Sequence, residues 1–119
     1  MKKLRVLIVE SDIDVTKSIR QTVEQVRPES TFETARSHMT VQGFLDPKDP
    51  FDIIFWGGDI SGGDTLGLIA MARQMFPKCP MVATGTTLMD KQLEAGCDYS
   101  VVKPDMNIRE LLAEIFPEQ

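Results

Sequence analysis

The sequence predicts an α/β domain built on a doubly wound, five-stranded parallel sheet. Short apolar runs alternate along the chain with longer stretches of helical periodicity, which is the β-α pattern of such folds. The clearest run, Val6 to Val9, is apolar without alternation, as expected for a central strand covered by helices on both faces. With 119 residues and 42% hydrophobic content, the chain is the size of one core. We therefore interpret residues 1–119 as a single domain.

The other strands are expected where apolar runs recur between helical stretches. The second is the weakest, because Phe32 alone clearly belongs inside, and this favours an edge position for it. The strands that follow the first are predicted at Thr31–Thr34, Phe51–Trp56, Met81–Ala83 and Val101–Val102.

The helices are expected between these strands, and each has a recognisable start or stop. In the first, Val15, Ile19, Val23 and Val26 recur at helical spacing, either Asp12 or Asp14 could cap its first turn, and it should end before Pro28. The other helices are predicted at Ala35–Leu45, at Thr65–Phe76, at about Leu88–Ala95 with Gly96 as C-terminal cap, and over the apolar stripe of Ile108, Leu111, Leu112 and Ile115.

Composition excludes several classes of function. The formal net charge of -5 repels phosphate backbones and anionic headgroups, so neither a nucleic acid nor a membrane surface is expected as partner. No apolar run approaches the roughly 20 residues of a membrane span. The two cysteines, Cys79 and Cys97, are too few for a disulfide framework or a structural zinc site. They are interpreted as reduced thiols of a cytoplasmic protein.

Polar residues follow the strands at the edge where sites form in open parallel sheets. Glu10, Ser11 and Asp12 come directly after the first strand, and Lys103 follows the fifth. Carboxylate oxygens are ligands that magnesium prefers, which makes Glu10 and Asp12 weak metal candidates. The simpler interpretation is that they cap a helix and pair with Lys103.

Four segments together resemble the receiver domains of bacterial two-component response regulators over essentially the whole chain. They are Leu7 to Asp12, Phe51 to Trp56, Glu94 to Asp98 and Val101 to Pro104. The resemblance implies a flavodoxin-like (βα)5 fold with strand order 2-1-3-4-5. It also implies an aspartate at the end of the third strand that accepts a phosphoryl group from a histidine kinase, magnesium beside an acidic pair, and a lysine that steadies the phosphate. Finally, it implies a Ser/Thr residue and an aromatic residue that relay the change caused by phosphorylation.

The residues of this phosphorylation site are altered here. The position that matches the phosphoacceptor is Gly57, which carries no nucleophile. The acidic pair is reduced to Glu10, since its second position is Ser11, and Asp12 lies one residue beyond the pair. A smaller number of carboxylates lowers the affinity for a divalent ion.

The positions of the relay residues are altered as well. Thr84 or Gly85 matches the Ser/Thr position, because the chain is short between Ala83 and Gly96. Ser100 matches the aromatic position, and Tyr99 precedes it by one residue, which should place its side chain on the opposite face of the strand.

The resemblance therefore implies a pseudo-receiver that is not an enzyme, is not phosphorylated, and takes part in signal transduction by binding proteins. The face formed by residues 88–116 is the expected partner surface, and no cofactor is expected.

Three alternatives give the chain a different chemistry. Asp59, two residues beyond Gly57, could be a displaced phosphoacceptor. The segment from Asp12 to Thr16 is similar to the nucleophile motif of haloacid-dehalogenase-like phosphatases, which are magnesium-dependent. Gly58-Asp59 together with Asp64 resembles the metal motif of the same enzymes. A flavodoxin-type flavin binder is disfavoured, because the carboxylates after the first strand would repel the flavin phosphate.

Overall fold

Strands and helices alternate through the described part of the chain, as the spacing of the apolar runs predicts. The computed structural model describes residues 3–58, 60, 62, 64–85, 89–102 and 107–117. The elements within these residues are β1 (Arg5–Val9), α1 (Ile13–Val26), β2 (Thr31–Ala35), α2 (His38–Phe44), β3 (Ile53–Gly57), α3 (Thr65–Met75), β4 (Met81–Gly85), α4 (Met89–Ala95), β5 (Tyr99–Val102) and α5 (Ile108–Ile115).

All five strands join one parallel sheet in the order β2-β1-β3-β4-β5. The expected fold class, strand order and edge position of β2 are confirmed. Val9 of β1 lies opposite Trp56 of β3, and Gly57 of β3 lies opposite Thr84 of β4. This register brings the carboxyl ends of the three central strands to one edge of the sheet.

The sheet is packed on both faces, which explains why its central strands are apolar without alternation. One core cluster contains Trp56 with Leu68 and Ile69 of α3. The other contains Ile19 of α1 and Leu112 of α5. Trp56 is fully buried, as expected for a residue of a central strand.

The predicted capping residues at the start of α1 and at the end of α4 are both confirmed. Asp12 is the N-cap of α1, and its Oδ1 accepts hydrogen bonds from the backbone N–H of Asp14 at 2.9 Å and of Val15 at 3.4 Å. At the end of α4, Gly96 has a φ of 144° and its N–H donates to the carbonyl of Gln92. The expected start of α4 at Leu88 lies outside the described residues.

The expected start of the second helix is wrong. Ala35 was assigned to that helix, but it is the last residue of β2, and its carbonyl accepts a hydrogen bond from the Glu10 N–H. The helix begins after Ser37, whose hydroxyl caps it by accepting from the Thr40 N–H at 3.3 Å. Pairing with β1 thus overrides the helical propensity of this alanine.

No helix in the described residues has the length and apolar content needed to cross a bilayer, and the longest, α1, has 14 residues.

Candidate functional site

The carboxyl edge of the sheet brings three predicted site residues into contact. Glu10 directly follows β1, Gly57 is the last residue of β3, and Thr84 lies opposite Gly57 on β4. Parallel strands end at the same edge, so the register alone places them next to one another. Glu10 and Thr84 are buried, with exposed fractions of 4% and 0%.

The Glu10 carboxylate lies where a side chain on residue 57 would begin. A Cβ atom built on Gly57 would be 2.5 Å from Glu10 Oε2, 3.0 Å from Glu10 Cδ and 3.0 Å from the Val9 carbonyl oxygen. The first distance is far inside van der Waals contact, and the other two are tighter than an ordinary contact. Glycine at position 57 therefore removes the nucleophile and also makes room for the carboxylate of a neighbouring strand.

Glu10 is held by donors on two sides. The Thr84 hydroxyl donates to Oε2 at 3.3 Å, and the backbone N–H of Asp12 donates to Oε1 at 3.2 Å. Thr84 Oγ1 also lies 3.4 Å from the Trp56 carbonyl oxygen. Of the two residues that the sequence left open, Thr84 is the one whose hydroxyl reaches the site, since Gly85 has no side chain to contribute.

The residues between β1 and α1 cap the first helix and contact the segment after β2. Asp12 is the N-cap described above, so its capping role is confirmed. Ser11 is exposed, and its carbonyl oxygen accepts a hydrogen bond from Arg36 Nη2 at 3.4 Å. These contacts connect the β1–α1 and β2–α2 segments at the rim of the site.

The oxygen donors that the described residues place at this edge are fewer than a divalent cation needs. Residue 57 contributes no side-chain oxygen, Glu10 accepts from the Thr84 hydroxyl and the Asp12 N–H, and Asp12 Oδ1 accepts two backbone N–H groups. Among the described residues, no group of three His, Cys, Asp or Glu side chains is placed to hold a metal. Hard cations bind six or more oxygens, several of them charged.

Comparisons with known proteins identify the fold through solved structures. No family model and no curated protein matches the chain. A two-component response regulator from Clostridium difficile matches with a TM-score of 0.74 and 22% identity, over 96% of this chain and 93% of that chain. A response regulator receiver domain protein (CheY-like) from Methanospirillum hungatei JF-1 matches with a TM-score of 0.77 and 22% identity, over 96% and 91%.

The fold is the receiver fold. A third match, NtrX from Brucella abortus, has a TM-score of 0.75 and 17% identity and covers 95% of this chain. The chain spans 26% of that longer protein. The edge formed by Glu10, Gly57 and Thr84 is the part of this fold in which the sequence resemblance predicts a phosphorylation site.

Two further site residues predicted from the receiver resemblance are Tyr99 and Ser100, and they face opposite sides of β5. Tyr99 is half-buried and packs against the core cluster that contains Ile19 and Leu112, while Ser100 is exposed. The expected alternation is confirmed. Lys103 and the alternative acceptor Asp59 lie outside the described residues.

Sequence reasoning missed Gln92, which connects α4 of the receiver fold to the site. Its side chain is fully buried, and its Nε2 donates to the Trp56 carbonyl at 3.0 Å, one residue before Gly57. The available signal was spacing, since Leu88, Gln92 and Ala95 fall on one helical face in the sequence, and a polar residue on an apolar stripe needs a partner.

Proposed function

We propose that this chain is a receiver-type domain of two-component signal transduction that is not phosphorylated and acts in the cytoplasm by binding other proteins. One observation carries the proposal. At the sheet edge where the sequence resemblance predicts a phosphoacceptor, residue 57 is glycine, and the Glu10 carboxylate lies 2.5 Å from the position that a Cβ atom on this residue would take. The domain is proposed to be neither an enzyme nor a magnesium protein, because the described residues of this edge provide no side-chain nucleophile at position 57 and no suitable set of oxygen donors.

The phosphatase alternative receives no support from the described residues. Its nucleophile would be Asp12, whose carboxylate accepts two backbone N–H groups at the start of α1. Its proposed metal ligand Asp64 is likewise an N-cap, and accepts from the Leu66 N–H at 3.0 Å. Both aspartates are explained by helix capping.

The first test is chemical labelling. When the wild-type domain is incubated with phosphoramidate and magnesium, we expect no phosphoryl adduct in its intact mass, because glycine has no group that attacks phosphorus. A receiver domain known to be phosphorylated serves as the positive control. A hydroxylamine-sensitive adduct would contradict the proposal, and its location at Asp59 would favour the displaced acceptor instead.

The proposed partner surface is the α4–β5–α5 face, within residues 88–116. Among the described residues of this face, two large apolar side chains are exposed, Leu93 of α4 at 37% and Val102 of β5 at 53%. Exposed apolar side chains on adjacent elements are typical of the centre of a protein contact. Gln92 lies on the same helix and binds the backbone beside Gly57, so the site and this face share one element.

The second test measures how substitutions on the α4–β5–α5 face change the affinity for a protein partner. A partner captured by photocrosslinking from residue 102 is expected to bind the Val102→Asp or Leu93→Asp variant about tenfold more weakly or worse, because a charge would be buried in an apolar contact. Met39→Asp is the matched control, since Met39 is 80% exposed and lies on α2. Equal weakening by all three substitutions, measured by titration calorimetry, would show that this face is not the specific one.

A further inference from the structure

The Glu10 carboxylate is more than a neighbour of Gly57, because it is a buried group placed within the volume of another residue's side chain. Its Oε2 and Cδ are 2.5 and 3.0 Å from the Cβ position of residue 57. Gly58, the next residue, has no such constraint, since the nearest atoms to its Cβ position belong to Gln92 at 3.8 Å or more. The close approach at position 57 therefore does not extend to the next residue.

The position of Glu10 is fixed by its surroundings. Its N–H pairs with Ala35, and its two carboxylate oxygens accept from Thr84 and from the Asp12 N–H. To leave this place, the carboxylate would have to give up both side-chain hydrogen bonds inside a buried environment. The end of the Glu10 side chain can therefore make room for a substituent on residue 57 only by losing these hydrogen bonds.

We infer that the Glu10 carboxylate occupies the volume in which a phosphoacceptor side chain on residue 57 would lie. In this position it accepts a hydrogen bond from the Thr84 hydroxyl and prevents a larger side chain or an anion from entering the site. This inference deepens the proposed function and rests on its assignment of residue 57 as the acceptor position. It implies that restoring an aspartate at residue 57 does not by itself restore an acceptor. Glu10 must be shortened as well.

The stability test is a double-mutant cycle on the full chain. Gly57→Ala is expected to lower the melting temperature by about 4–10 °C, because the new Cβ displaces the Glu10 carboxylate from its hydrogen bonds. In the Glu10→Ala background, the same substitution is expected to change the melting temperature by at most about 3 °C. Gly58→Ala is the matched control and is expected to have an effect of at most about 2 °C.

The cycle remains decisive if Gly57→Ala alone fails to fold, because the Glu10→Ala, Gly57→Ala double variant should then regain a cooperative transition. Additive effects would overturn the inference, since they would show that Glu10 is not what the new methyl group meets. Equal effects of Gly57→Ala and Gly58→Ala would overturn it too.

The functional test compares Gly57→Asp with the Glu10→Asp, Gly57→Asp double variant in phosphoramidate and magnesium. The shorter aspartate at position 10 frees the space, so we expect at least about tenfold more labelling of residue 57 in the double variant. Equal labelling of the two variants would overturn the role of Glu10 and leave the proposed function intact. Labelling of the wild-type domain would instead contradict the proposed function.

Discussion

Replacement of Arg73 by methionine is expected to lower the free energy of unfolding by about 3–5 kcal/mol. Arg73 is on α3, and its guanidinium joins three parts of the fold. Its Nε donates to the Gly96 carbonyl at 3.0 Å, and its Nη1 donates to the carbonyls of Pro77 and Cys79, each at 3.0 Å. Its Nη2 pairs with the Asp98 carboxylate.

The expected loss is large because methionine would fill the space and leave the partners of the guanidinium unsatisfied. The Arg73 side chain is 23% exposed, so solvent replaces these hydrogen bonds poorly. Arg73→Lys is expected to recover little, since one ammonium cannot reproduce the planar fork of donors. Gly96 and Asp98 lie between α4 and β5, so the proposed partner face should loosen in the same variants.

Urea unfolding followed by circular dichroism measures this loss. Arg20→Met is the control, because Arg20 pairs with Glu24 on the surface of α1, where both side chains are about half exposed. Such a pair is worth about 0–0.5 kcal/mol. A loss below about 1 kcal/mol for Arg73→Met would mean that the guanidinium network does not stabilise the fold.

A rise in pH above 9.0 is expected to destabilise the domain steeply. Burial raises the pKa of the Cys79 thiol from its ordinary value of 9.0 to about 12, with Arg73 acting in the opposite direction. Burial also raises the pKa of Cys97 to about 12, helped by the negative charge of Asp98. Both cysteines are buried in the apolar cluster that contains Trp56, where a thiolate is poorly solvated.

The free energy of unfolding decreases with rising pH because the unfolded state releases its thiol protons at a lower pH than the folded state does. Between pH 9.0 and about 12, the unfolded chain loses its thiol protons while the folded chain keeps them. Stability is therefore complete below 9.0 and decreases as the pH rises towards the folded pKa. Each thiol contributes up to about 1.4 kcal/mol per pH unit, so the two together contribute up to about 2.7 kcal/mol per unit.

Unfolding free energies measured across this alkaline range test the expectation. The Cys79→Ala, Cys97→Ala variant keeps the same lysines and the same tyrosine, so the difference in slope between it and the wild type isolates the thiols. We expect a shallower slope in the variant. Identical slopes would show that the thiols do not control the alkaline loss of stability.

Most of the fold could be predicted from local patterns. The apolar runs gave the central strands, and capping residues such as Asp12 and Gly96 gave helix ends within a few residues of those observed. The second helix was placed too early, because the pairing of Ala35 with β1 is a long-range contact that no local propensity records. Gln92 was missed because its partner, the Trp56 carbonyl, is 36 residues away in sequence.

The lack of a carboxylate at position 57 could be predicted without a structure, since it depends on the identity of one residue and on its place after an apolar strand. The group that fills the resulting space could not be predicted in this way. It is Glu10, because the parallel register of β1 and β3 brings Glu10 beside a residue 47 positions away. A side chain's neighbour across a sheet is set by strand order and register, and these arise from the packing of the whole chain.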